Sequence, residues 1–176
     1  IPHHKIERLI IDSGISYTFL RPAYFMQNFT TTLRKELVEN NRIFLPAGEA
    51  KFTLVDVQDV GKVAAETLLS SDKHVNIGYD LTSNGTLTVG EMAKKLSRGL
   101  NRKIDFVSPN LIRFFIQKRK EGVAPMFIFV MIMLHYFPRF QKTPNISHAV
   151  QEITGKPPVS FDEFVRNNVK TLSGGG

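Results

Sequence analysis

The stretch Tyr17-Thr18-Phe19-Leu20-Arg21-Pro22-Ala23-Tyr24-Phe25-Met26-Gln27-Asn28 gathers a cation, aromatic rings and side-chain amides around one chain reversal. Tyr17 to Leu20 is a short apolar run of the kind buried on both faces of a parallel sheet. Pro22 ends that strand, because its ring fixes φ and it has no N–H for the ladder. Ligands of open α/β sheets collect just beyond the carboxyl ends of such strands, which puts Ala23 to Asn28 at a binding edge. The competing reading is that Tyr24, Phe25 and Phe29 fill the core while Asn28 caps the following helix. Arg21 is either a pocket cation or, as its strand-end position favours, the partner of Asp56 or Asp59.

Other chemistries find less support. Asp56-x-x-Asp59 has the look of paired carboxylates, yet a strand end plus an N-cap at Asp59 accounts for both. His3 and His4 are adjacent and His74, His135 and His148 are isolated, so no metal-ligand spacing arises and no metal is expected. The chain has no cysteine, which excludes thiolate zinc sites and thiol nucleophiles and suits a reducing, cytoplasmic setting. No G-x-S-x-G elbow is present for a hydrolase.

Alternating elements position these residues. His4 to Asp12 carries Ile6, Leu9 and Ile10 on one helical stripe, and Gly14 stops that helix. Phe29 to Asn40 reads as a second helix. Arg42–Leu45 and Lys51–Val57 read as short strands around a Pro46-Ala47-Gly48 turn. A helix runs from the Asp59 cap to Ser70, and Val75–Leu81 is a strand. Thr88-Val89-Gly90-Glu91 is a capping box that opens a helix to about Arg98. Lys103–Val107 is a strand, and Ser108-Pro109 starts a helix with proline at its first position. Helices follow at Pro125–Tyr136, from Thr143-Pro144 to Ile153, and from a second box at Ser160 to Leu172. The front alternates helix and strand and the back is helical. The fold expected is α/β: the downstream part of a doubly wound parallel, Rossmann-like sheet over residues 1–82, a mostly helical substrate lobe over 83–172, and a flexible tail at 173–176.

Charge and hydropathy narrow the partners. The net charge is +7, and its excess lies in Arg98, Arg102 and Lys103 and in Arg113, Lys118, Arg119 and Lys120. A solvated basic helix face explains this, and no docking motif for nucleic acid accompanies it. Val123 to Leu134 is the longest apolar run, shorter than the ~20 residues that span a bilayer. It reads as a buried helix, with an interfacial anchor as the alternative given the basic cluster before it. The glycines never assemble into GxGxxG, GxxGxxG or a P-loop, so the phosphate cradle of any dinucleotide site is expected upstream of Ile1.

Ordered motifs carry a family resemblance. His3-His4-Lys5-Ile6-Glu7, the Ser13–Pro22 strand and its approach, and Phe25-Met26-Gln27-Asn28 resemble the central signature of NmrA-like proteins, atypical members of the short-chain dehydrogenase/reductase superfamily. The similarity continues through Val55-Asp56-Val57-Gln58-Asp59-Val60, Tyr79-Asp80-Leu81-Thr82 and Leu87–Ala93, and ends at Ile153–Phe161. The resemblance implies an NAD(P)-binding Rossmann part, a smaller lobe closing over the nicotinamide, and a chain that is the downstream ~60% of such a domain pair. It implies NAD(P)H-dependent reduction of a quinone or small carbonyl substrate, with NADP and NAD both open. The alternative it offers is a non-catalytic redox sensor with a protein partner.

The resemblance also implies roles for single residues. The loop after the Arg-Pro strand lies against the nicotinamide, so Pro22, Ala23, Tyr24, Phe25 and Asn28 are the cofactor-binding candidates. A flat ring of that kind suits aromatic walls with one or two amide or backbone hydrogen bonds, which Phe25 and Asn28 supply. Ordinary short-chain dehydrogenases use Tyr-x-x-x-Lys, but here isoleucine stands four residues before Lys5. His3 and Lys5 are the remaining catalytic candidates, with an exposed helix start as the alternative.

Overall fold

Helix α1 (Pro2–Asp12) ends in a left-handed turn at Gly14, whose φ of 76° suits a residue without Cβ. The computed structural model describes residues 2–175. Strand β1 (Thr18–Pro22) runs parallel to β5 (Ile77–Leu81), with Thr18 opposite Ile77 and Pro22 opposite Leu81. Contrary to expectation, β1 is not buried on both faces: Thr18 to Leu20 are half-buried and Arg21 and Pro22 exposed. Among the described residues β1 has one strand neighbour, β5.

The chain changes partners at Ala23. Its N–H donates to the Leu81 carbonyl at 3.0 Å, and β2 (Tyr24–Phe25) then pairs in parallel with β4 (Lys51–Val55). Strand β3 (Arg42–Phe44) lies parallel to β7 (Asp105–Val107), and β4 takes β6 (Thr86–Thr88) antiparallel on its other side. The strands flanking Pro46–Gly48 therefore belong to different ladders and do not form a hairpin. Leu45, Ala47 and Ala50 are buried, so this connection is part of the core.

Several helix starts differ from the sequence expectation for local reasons. Only Arg34–Asn40 (α2) of the expected Phe29–Asn40 helix is α-helical; Met26–Phe29 is one tighter turn. Three successive threonines intervene, and the hydroxyls of Thr30 and Thr31 donate to the Gln27 carbonyl at 3.0 and 2.9 Å in place of helix propagation. Helix α3 (Val57–Leu69) is capped by Asp56, not Asp59: the Asp56 carboxylate accepts from Gln58 N–H at 2.8 Å. Helix α4 (Val89–Gly99) has the expected reciprocal box between Thr88 and Glu91. Helix α5 (Leu111–Lys120) begins after Asn110, whose side chain accepts from Arg113 N–H at 2.8 Å, so Pro109 precedes the cap instead of entering the helix.

Helix α6 (Pro125–Tyr136) matches its expected bounds with proline in its first turn. Helix α7 (Ala149–Thr154) starts later than Thr143, because the backbone at Ser147 is held by the Thr82 hydroxyl, which accepts at 2.9 Å and donates at 3.2 Å. The last expected helix divides into α8 (Phe161–Asn167) and α9 (Val169–Leu172) at Asn168, whose side-chain amide donates to the Phe164 carbonyl at 2.8 Å.

Among the described residues two apolar cores result. The larger joins Met26–Leu54 with α4, α5, α6 and α8 through Phe29, Leu37, Leu54, Leu96, Phe114, Ile128 and Phe164. The smaller lies under β1 and β5, where Val55, Val63, Leu81 and Val150 meet Leu20 and Ala23. Ala23 thus sits where the parallel β1–β5 pair hands over to the larger core.

Candidate functional site

The carboxyl ends of β1 and β5 coincide at Pro22 and Leu81, and those of β2 and β4 at Phe25 and Val55. The loop that leaves this edge alternates inward and outward. Met26 and Phe29 are fully buried, with the Phe29 ring 5.2 Å from that of Phe161, whereas Phe25 is 36% exposed. Gln27 Oε1 accepts from the first N–H of α3, at Val57, over 3.1 Å and so fastens the loop to that helix. Asn28 does not cap α2 through its side chain; its backbone carbonyl accepts from Leu33 N–H at 2.8 Å.

Tyr24 turns away from the edge. Its hydroxyl meets His135 Nε2 at 3.0 Å, and His135 Nδ1 lies 2.6 Å from the Met131 carbonyl, one turn back in α6. A carbonyl only accepts, so the ring proton sits on Nδ1, Nε2 is a lone pair, and the Tyr24 O–H donates to it. Phe52 packs against both rings, 5.6 Å from Tyr24 and 6.3 Å from His135. Leu45, Val89 and Met92 close the surroundings. Burial pushes the His135 imidazole down to about 4, with the Met131 carbonyl opposing. Burial likewise pushes the Tyr24 phenol above its ordinary range, with a side-chain hydrogen bond from Asn28 opposing. Both groups are held neutral at pH 7.

The expected partners of Arg21 are replaced. Its guanidinium forks onto Glu7 of α1, Nε and Nη2 each donating over 2.8 Å, and Asp80 is 3.9 Å away. Asp56 serves as a cap, and Asp59 is buried, accepting from Val159 N–H at 2.7 Å and from Lys62 at 2.9 Å. Residues two apart on a helix point in different directions, so Lys5 faces away from the Glu7 side that meets the sheet, and it is exposed. His3 lies outside the described side chains.

The structure therefore brings Pro22, Ala23 and Phe25 to one sheet edge, directs Tyr24 inward, and places Asn28 in the following turn with its side chain on the Tyr24 hydroxyl. An exposed flat ring beside a strand end and a nearby amide fit the nicotinamide end of a dinucleotide. A separate open cleft of about 380 Å³ lies at the opposite, amino end of β1, between Tyr17, Leu20, Ala64 and Leu68. Sequence reasoning missed His135, Gln27 and the Thr82–Ser147 link. For His135 a signal was present: it falls on the Ile128, Met131, His135 stripe, the buried side of a helix whose other residues, apart from Tyr136, are all apolar.

Comparison with known proteins adds to this geometry. The model of the NmrA-like family matches residues 2–150. Prestalk A differentiation protein A of Dictyostelium discoideum is 26% identical over 176 residues, covering 99% of this chain and 58% of its own. NAD(P)H azoreductase of Xenophilus azovorans is 26% identical over 160 residues, covering 91% and 55%. The NADPH-dependent quinone oxidoreductase QOR2 of Escherichia coli superposes with a TM-score of 0.83 at 19% identity, over 94% of this chain and 60% of that one. The chain thus spans a little over half the length of the relatives it matches, and its architecture is that of the Rossmann-like NAD(P)-binding reductases.

Proposed function

This chain belongs to the NmrA-like family, and from that premise we propose that it is the cofactor-covering, substrate-binding part of an NAD(P)H-dependent oxidoreductase acting on a quinone or small carbonyl compound. The observation that carries this reading is the exposed Phe25 ring beside Ala23, at the edge where two parallel strand pairs end together. In this reading Pro22, Ala23, Phe25 and Asn28 border the nicotinamide, residues 83–172 wall the substrate, and residues outside this chain hold the phosphates. The bound dinucleotide, NADP or NAD, supplies the hydride. Tyr24 shapes the loop and does not serve as the proton donor, since its hydrogen is committed to His135.

A redox sensor of the same fold is the second reading, favoured by one observation: Lys5 is exposed and has no tyrosine four residues before it. The test uses the full-length protein. Acceptor-dependent NAD(P)H oxidation across a quinone panel is expected, with Phe25→Ala raising the cofactor KM about tenfold, the loss of roughly 1.4 kcal/mol of contact. Tight cofactor binding without turnover for any acceptor selects the sensor. Absence of cofactor binding by calorimetry overturns both.

A further inference from the structure

We propose that the outer face of α6 docks on an anionic lipid bilayer, lying in the headgroup plane without crossing it. This goes beyond the oxidoreductase reading and does not rest on it. Helix α6 buries one narrow stripe, Ile128, Met131 and His135. The opposite face follows helical spacing through Met126, Phe129, Val130 and Met133, and continues into Phe137 of the next turn. Met126 is 74% exposed, Met133 60%, and Phe140 just beyond is 72% exposed. A surface helix ordinarily carries charge on such a face, and this one carries none.

The occupant follows from charge. Between Phe106 and Gln151 the sequence holds six Lys or Arg residues and a single acid, Glu121, which is bound by Lys118 at 2.6 Å. The exposed cations stand at both ends of the helix: Arg119 and Lys120 before it, Arg139 and Lys142 after it. Arg119 donates to the Val123 carbonyl at 2.9 Å across the α5–α6 turn, and the Arg139 guanidinium lies 5.1 Å from the Tyr136 ring centroid. An apolar strip with cations at both ends matches acyl chains beneath anionic headgroups. A second copy of the chain matches it poorly, since pairing two such strips in either direction sets cation against cation. At 12 residues α6 is too short to span, and among the described residues no helix is long and apolar enough to cross a membrane.

The test is sedimentation of the full-length protein with phosphatidylserine–phosphatidylcholine vesicles and with pure phosphatidylcholine vesicles, at about 0.1 M and about 1 M salt. Binding is expected to the anionic vesicles alone and to fall steeply at the higher salt. Lys120→Gln with Lys142→Gln should weaken it roughly twenty-five-fold, about fivefold for each cation removed near the surface. Met126→Ser with Met133→Glu should abolish it while thermal unfolding is unchanged, because both side chains are exposed. No binding to anionic vesicles overturns the proposal, as does binding that the Met126 and Met133 changes leave intact. Concentration-dependent dimerisation removed by those same changes assigns the face to a second copy and overturns it too.

Discussion

The Tyr24 hydroxyl donates to His135 Nε2 over 3.0 Å, joining the loop after β1 to the buried stripe of α6. These residues are 111 positions apart and come from the sheet edge and the helical part respectively. Each supplies what the other lacks in an apolar enclosure of Phe52, Val89 and Met92. A lone phenol or a lone imidazole there would forfeit its hydration without return. The pair therefore defines how the Ala23–Asn28 loop sits over the larger core.

Acid should loosen the fold through this histidine. Burial lowers the His135 pKa from 6.5 to about 4, so the unfolded chain binds the extra proton first as pH falls. The stabilisation is fully present above about pH 6.5 and is lost progressively between there and about pH 4. Its full size is of order 3 kcal/mol. Urea unfolding at pH 7.5 and pH 5 should show the decline. His135→Gln should remove the part of the slope due to this residue while lowering stability at both pH values.

Removing one partner should cost more than the hydrogen bond itself. Tyr24→Phe keeps the ring against Phe52 and leaves Nε2 of His135 buried with no donor, a loss of about 1–3 kcal/mol. His135→Leu leaves the Tyr24 O–H without an acceptor, while its oxygen keeps the hydrogen bond from Asn28. The double variant should lose clearly less than the two single losses added together, because no polar atom of the pair is then stranded. Additive losses in chemical denaturation would show that the two residues are not coupled.

Much of the fold was legible because local rules and packing agree. The Thr88–Glu91 box, the Gly14 stop and the Pro125 start all depend on side chains within one helical turn, and each is where the sequence puts it. Apart from the helix starts shifted by neighbouring side chains, the misplaced features depend on distant groups. Arg21 takes Glu7 of α1 over the aspartates because the α1 and β1 faces meet, which no spacing within β1 records. Helix α7 starts late because Thr82, 65 positions earlier, claims the backbone at Ser147. The candidate edge was legible through Pro22 and the β1 run. The inward turn of Tyr24 was not, because its partner lies on a helix whose periodicity is hidden by its uniform apolarity.

The two aspartates before and within α3 should separate by role. Asp56→Ala removes an N-cap and should cost about 1 kcal/mol. Asp59→Ala leaves the Val159 N–H without its acceptor and Lys62 without its partner in a site where Asp59 is 1% exposed. That change should cost more, about 2–3 kcal/mol, and should loosen the segment before α8. Hydrogen exchange at Val159 distinguishes them: protection should fall in the Asp59 variant and stay near native in the Asp56 variant.

Helix α4 ends against α8 with no room for a methyl group. A Cβ placed on Gly99 would run into Cγ1 of Val165, a residue 1% exposed in the larger core. Gly99 has an ordinary helical backbone, so its place is set by this close approach and not by a positive φ. In an open helix Gly→Ala would stabilise by up to ~1 kcal/mol, but overpacking here costs roughly 1–3 kcal/mol, so Gly99→Ala should be net destabilising. Val165→Ala alone should also destabilise, through the volume it vacates. Combined, the two should recover part of the loss, because the new methyl fills space that Val165 leaves. A thermal midpoint for the double variant below that of both single variants would show that α4 and α8 do not meet at this contact.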